Sequence, residues 1–280
     1  MTGTGISHGA ITVINALPCG IGATIGVNLR TVARFEEIGN GKAVRISNDP
    51  LENDSMARIC VSEACSKIGV EEPESWSLDM DSEIPISRGL KSSSSACNAI
   101  ISAVLDHFDQ ELEDVDMIRL GVRCARVENV TVTGAFDDAC GCWFGGFVKT
   151  RNADCTIISR RHMGPADMLI HVPTYKIHKR GILLKDFQAY SEESMRIVDM
   201  VDSDIHRAMT LNGSLISRIM SLDNSIADMA MESGALCAGI SGTGPAVAMM
   251  FKEGEAEAFM MENGLKDCIL TTVRDTEGTI

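Results

Sequence analysis

A serine-rich turn, Pro85-Ile86-Ser87-Arg88-Gly89-Leu90-Lys91-Ser92-Ser93-Ser94-Ser95-Ala96, runs without a break into a segment of helical periodicity. Ala96, Ala99, Ile100, Ala103, Val104 and Phe108 recur at steps of three and four, which predicts a helix with one buried face. The first-turn N–H groups of such a helix have no intrahelical partners, and its dipole places partial positive charge there. The junction therefore predicts an anion site. Hydroxyls of Ser92 to Ser95 can donate to phosphate oxygens or supply a ligand for Mg²⁺, and Lys91 can add a cation. A simpler role for the serines is capping, although one serine suffices for that. The stretch does not match G-x-x-x-x-G-K-[ST], so it is not a P-loop.

At 280 residues the chain exceeds the usual size of one compact domain, which suggests two lobes, 1–153 and 154–280, with a soft boundary near Asn152 to Asp154. Apolar residues make up 45% and charged residues 23%, enough to fill a core and solvate a surface. A net charge of -14 without a dense Lys/Arg run disfavours nucleic acid as a partner. No segment reaches the ~20 apolar residues of a bilayer span, and the amino end lacks a basic region followed by a long apolar stretch. A cytoplasmic protein with no membrane partner is expected. Ten cysteines in a chain this long do not resemble a secreted disulfide framework, and Cys97 and Cys237 sit inside apolar runs. Cys140 and Cys142, like Cys60 and Cys65, lack a second pair at zinc spacing.

Strands are predicted at Ala10 to Ile14, through Val27, Leu29 and Val32 after a stretch with Gly20, Gly22 and Gly26, and at Ala43 to Ile46, Val127 to Val132, Thr156 to Ile158 and Met168 to Val172. In the second half a helix is predicted from Ser214 to Met231, then strands at Leu236 to Ile240 and Val247 to Phe251, and a last helix from Glu255 to Asn263. Between those two strands lies Ser241-Gly242-Thr243-Gly244-Pro245, which suits either a hairpin turn or a loop whose backbone approaches a ligand.

Pro85, Gly89, Leu90, Ser92 and Ser93 resemble, position by position, the second motif of the GHMP kinases, P-x-x-x-G-L-G-S-S-A. Lys91 departs from the usual glycine, and the extra serines from the usual alanines. Gly239-Ile240-Ser241-Gly242-Thr243-Gly244-Pro245-Ala246 resembles the third motif of that family, and Gly9-Ala10-Ile11-Thr12-Val13-Ile14-Asn15-Ala16 more weakly the first, with Asn15-Ala16 in place of its acidic ending. Gly134-Ala135-Phe136-Asp137-Asp138-Ala139 is similar to the family segment G-V-D-N-A. The form Gly89-Leu90-Lys91-Ser92-Ser93-Ser94 is more similar to the archaeal shikimate kinases than to homoserine or mevalonate kinases.

The resemblance implies an α+β fold of two lobes with ATP and its acceptor in the cleft between them. It implies ATP contacts from Pro85, Ser87, Arg88, Gly89, Leu90, Lys91, Ser92, Ser93, Ser94, Ser95 and Ala96, and further substrate and phosphate contacts from Asn15, Asp138, Ser241, Gly242, Thr243 and Gly244. Asp137 would face the acceptor hydroxyl, while Asp138 also suits a helix start. Ser93 and, as the nearest suitable upstream carboxylate, Glu128 would bind Mg²⁺. The implied acceptor is shikimate, phosphorylated on its 3-hydroxyl, with homoserine or mevalonate as alternatives and a ligand-binding protein without transfer activity as a third. A substrate carboxylate wants a basic partner, for which Arg88, Arg160, Arg161 and Lys179 are candidates that the sequence does not separate.

Overall fold

A computed structural model describes residues 2–128, 131, 134–177 and 183–275. Two long strands, β1 (Gly3–Ile14) and β2 (Ile21–Glu37), pair antiparallel over most of their length. Near the start of β1 burial alternates, with Gly3, Gly5 and Ser7 inward and Thr4 and Ile6 outward, the period of a strand covered on one face. Residues 9–14 and 22–27 are buried on both faces, so there the sequence runs apolar without alternation.

β3 (Lys42–Ile46), β4 (Trp76–Ser82), β5 (Phe147–Arg151) and β6 (Thr156–Arg161) complete the first sheet in the order β3-β4-β2-β5-β6, with β1 added to β2. The pair β3 and β4 is parallel and the other pairs are antiparallel. A second sheet, β7 (Asp167–His171), β8 (Cys237–Ile240), β9 (Val247–Phe251) and β10 (Cys268–Thr272), runs in the order β10-β7-β9-β8 and is antiparallel throughout. The chain passes from one sheet to the other between Arg161 and Asp167, because the turn after Asn152 only joins the hairpin of β5 and β6.

Helices α1 (Ser55–Ile68), α2 (Ser92–His107), α3 (Asp114–Val127) and α4 (Phe136–Phe144) form a core with one face of the first sheet, centred on Phe35, Trp76, Ile100 and Phe136. The opposite face, through Ile11, Val13 and Ile25, packs on Met168, Ile170, Ala248 and Met250 of the second sheet. After α5 (Leu184–Gln188), α6 (Ser191–Met200) and α7 (Ile205–Met220) close the side of that core with Ile197, Met209 and Leu215. α8 (Ser225–Glu232) and α9 (Ala256–Glu262) cover the far face of the second sheet. The architecture is α+β, with two sheets and their helices.

Three expectations need correction. Val127 closes α3 and is not part of a strand, and the rest of that expected strand lies partly outside the described residues. The helix expected from Ser214 to Met231 is two helices: Ser221 takes a left-handed φ of 52°, and Asp223 Oδ1 accepts the Ser225 amide at 2.9 Å to start α8. Gly22 and Gly26 lie inside β2 and do not precede it.

α2 lies directly on β1. A Cβ on Gly5 would run into the Ala99 carbonyl and the Ala103 amide, and one on Gly3 into the Ala103 carbonyl and His107. Thr4 N donates to Asp106 Oδ2 at 2.7 Å and pins the far end of the helix. Two missing side chains thus set the height of α2 above the sheet, and with it the position of Ser92. Gly5→Ala is expected to lower stability by about 1–3 kcal/mol through backbone overpacking. Ile6→Ala on the exposed face should stay within about 0.5 kcal/mol by urea unfolding.

Candidate active site

A cavity of about 530 Å³ opens where α2 begins, lined by β1, α1, α4 and the loop between β8 and β9. From the serine turn, Ser87, Gly89, Lys91, Ser92, Ser93, Ser94 and Ala96 reach its wall. Asn15, Glu128, Asp137, Asp138, Gly242, Thr243 and Gly244 join them. Pro85, Arg88, Leu90, Ser95 and Ser241 stand behind the wall. Ser95 is wholly buried and its hydroxyl has no hydrogen-bond partner, so it is a core residue. Ser241 acts structurally: its hydroxyl donates to Gly89 O at 2.8 Å and accepts from Thr12 N at 3.1 Å, tying the two loops to β1.

No side chain caps α2. Its first-turn amides therefore stand at the cavity wall beside Ser92, Ser93 and Ser94, a backbone arrangement suited to an anion. Lys91 reaches the cavity wall with its ammonium already paired. Its Nζ lies 2.8 Å from Asp138 Oδ1 and donates to Thr12 Oγ1 at 2.6 Å. Thr12 Oγ1 in turn accepts Gly242 N at 2.8 Å, and Asn15 Nδ2 donates to Gly242 O at 2.8 Å.

Asp137 and Asp138 occupy the first turn of α4, where the dipole favours carboxylates. Asp137 is only 4% exposed. Asn152 brackets it: its Nδ2 donates to Asp137 Oδ1 at 2.7 Å, and its Oδ1 accepts Asp137 N at 3.1 Å and Thr150 Oγ1 at 2.8 Å. Thr24 Oγ1 donates to the Asp137 carbonyl at 3.0 Å. The carboxylate rests against Gly22, where any Cβ would collide with it. Burial, with the neighbouring Asp138 carboxylate, pushes Asp137 up to about 6, against the opposing pull of Lys91 and the Asn152 amide. A carboxyl poised there can accept a hydroxyl proton near neutral pH.

Glu128 Oε2 accepts Ser55 Oγ at 2.6 Å. Among the described residues no cluster of three or more His, Cys, Asp or Glu stands ready for a metal. A serine hydroxyl and one carboxylate still suit Mg²⁺, which keeps water and substrate phosphate oxygens as most of its ligands. Among the candidate partners of a substrate carboxylate, Arg88 donates to Thr174 O, Arg160 lies over the Phe144 ring at 3.9 Å, and Arg161 donates to the Val201 and Asp202 carbonyls at 3.1 and 2.9 Å. None of the three lines the cavity, and Lys179 lies outside the described residues. Thr12, Thr24, Ser55 and Asn152 were not foreseen as site residues; only Thr12 lay within a motif.

Residues 55–146 match the family described as GHMP kinases N terminal domain. A protein named shikimate kinase from Pyrococcus abyssi is 30% identical, covering 98% of this chain and 100% of its own length. Another of that name, from Methanothermobacter thermautotrophicus, is 34% identical over 98% of this chain and 96% of its own. The chain belongs to the GHMP kinases. Its fold agrees: a crystal structure of mevalonate kinase superposes with a TM-score of 0.77 at 15% identity, each chain covered to 98%. A homoserine kinase from Cytophaga hutchinsonii gives 0.72 at 16% identity, covering 96% of this chain and 95% of the other. In this GHMP kinase residues from all four quoted segments meet at one cavity.

Asp137→Asn removes a desolvated charge. Because the folded pKa of about 6 lies above the unfolded value near 3.8, wild-type stability from this group is greatest below that unfolded value and is lost as pH rises through 6. The variant should therefore melt higher at pH 7.5, by on the order of 1–3 kcal/mol of stability, with the gain vanishing toward pH 4. Melting curves across that range test the sign.

Proposed function

We propose that this GHMP kinase transfers the γ-phosphoryl group of ATP to the 3-hydroxyl of shikimate, giving shikimate 3-phosphate and ADP. The observation that carries the acceptor is the pair of full-length relatives at 30% and 34% identity, both named shikimate kinase. The geometry supports the reaction class. Phosphoryl transfer asks for position and charge compensation more than for covalent help. An uncapped helix end and an acid pair on one cavity wall answer those two needs.

In this reading Ser92, Ser93 and Ser94 and the amides beside them hold the polyphosphate, and the loop from Ser241 to Gly244 closes on it from the second sheet. Asp137 accepts a hydrogen bond from the acceptor hydroxyl, orients its oxygen toward the γ-phosphorus and takes the proton as the new P–O bond forms and the bond to ADP breaks. The proton then passes to solvent when product leaves.

Cavity charge makes a divalent ion part of the reading. Among the described lining residues Glu52, Glu128, Asp137 and Asp138 face one ammonium, that of Lys91. A polyphosphate enters so acidic a site only when its own charge is partly neutralised. Ser93 and Glu128 would hold Mg²⁺, which when bound neutralises the outer phosphates.

A coupled ADP-release assay over shikimate, homoserine and mevalonate checks the acceptor: turnover with shikimate is expected, and turnover of homoserine without shikimate contradicts the proposal. Asp137→Asn should lower kcat by about 10²–10⁴-fold with the KM for ATP little changed. Ser93→Ala should raise the KM for Mg·ATP well above that of Ser95→Ala, since Ser93 reaches the cavity and Ser95 does not. Equal effects would place the phosphates elsewhere along the turn.

A further inference from the structure

Lys91 holds a backbone conformation that its residue type disfavours. Its φ of 68° and ψ of 27° are left-handed, a region where a Cβ is crowded and glycine is preferred. Its main-chain task, receiving the Ser95 amide at 3.0 Å to start α2, asks nothing of a side chain. Glycine would do that with less strain. The side chain is also desolvated, at 6% exposure, and burying an ammonium is costly unless it is paired.

What the lysine adds is the ammonium itself. Through Asp138 and Thr12 it joins the first turn of α4 to β1, and through Thr12 to the amide of Gly242. Three segments distant in sequence are held by one charge. It is also the one lysine or arginine lining the cavity among the described residues. With Lys91 as counter-ion to Asp138, the acid pair carries one uncompensated carboxylate, that of Asp137.

We propose that Lys91 is a positioning residue for phosphoryl transfer: its ammonium, clamped between Asp138 and Thr12, fixes the acid pair against the glycine loop on the acceptor side and does not serve the nucleotide phosphates. This rests on the kinase reading above. Other groups near the pair are the buried thiols Cys140 and Cys142 of α4, both pushed well up by burial, and the Arg126 guanidinium of α3, against Gly134. Arg160 of β6 acts on Cys140, and Arg274, after β10, on Cys142. β2, β5 and the turn after β5 present the uncharged Thr24, Thr150 and Asn152.

Lys91→Gly suits the backbone at that position and isolates the ammonium. Its kcat should fall at least ~100-fold while the KM for ATP stays within about threefold, and the acid limb of the kcat/KM profile should move up by about one pH unit. Carboxylate ¹³C NMR of the ligand-free protein should show the acid pair taking its first proton at correspondingly higher pH, because a positive charge has gone. A kcat within threefold of wild type overturns the proposal. So does a rise in the KM for ATP that accounts for the loss while the NMR titration stays put, the behaviour of a nucleotide cation. Should the glycine variant fail to fold, Lys91→Met, which keeps the aliphatic stem, is read against the same outcomes. Wild-type protein inert toward shikimate would sink the acceptor assignment alone, since the ligand-free titration still decides Lys91.

Discussion

The first turn of α2 leaves its amides without a side-chain cap at the wall of the cavity, and the helix keeps that aim because Gly3 and Gly5 let it rest on the backbone of β1. Among the described helices, α7 shows the closed alternative, its Asp204 side chain accepting Arg207 N at 2.9 Å. At Ser92 those donors stay available for a ligand. The cost of an open helix end is tolerable where water can reach it and would not be tolerable in a core.

Around that end the electrostatics are finely opposed. The protein is acidic overall, at -14, and its cavity is acidic too. In the proposed reaction, attraction for a polyphosphate would come from fixed backbone dipoles, a divalent ion and short-range hydrogen bonds, not from a field of lysines. The single ammonium in the described wall is already taken by Asp138. Burial raises Asp137 while Asn152 and Lys91 hold it down, and the result is a carboxyl that changes protonation close to neutrality. The stability that this costs is typical of a site selected for chemistry.

Local features were legible in the sequence wherever a single segment supplies them. The serine turn and the helix after it, the Asp137-Asp138 helix start, and the glycine loop between β8 and β9 all stand where their residues indicate. Contacts made across the chain were not. Lys91 reads as a phosphate cation beside four serines, and only its packing against Thr12 and Asp138, 79 and 47 positions away, turns it inward. Asn152 sits in a hairpin turn and gives no sign that it brackets a carboxylate 15 residues earlier. Gly22 and Gly26 read as a loop because glycine is poor in strands, yet Gly22 is required by Asp137 and Gly26 by Gly145. The break between α7 and α8 was hidden by apolar spacing that continues through Ser221.

Where a nucleotide's phosphates lie is the decisive question for this site. A crystal structure with a non-hydrolysable ATP analogue and Mg²⁺ is the direct measurement. It should place the β- and γ-phosphates against the amides and hydroxyls of Ser92, Ser93 and Ser94, with the γ-phosphorus facing Asp137. A triphosphate lodged away from the amino end of α2 would contradict that placement.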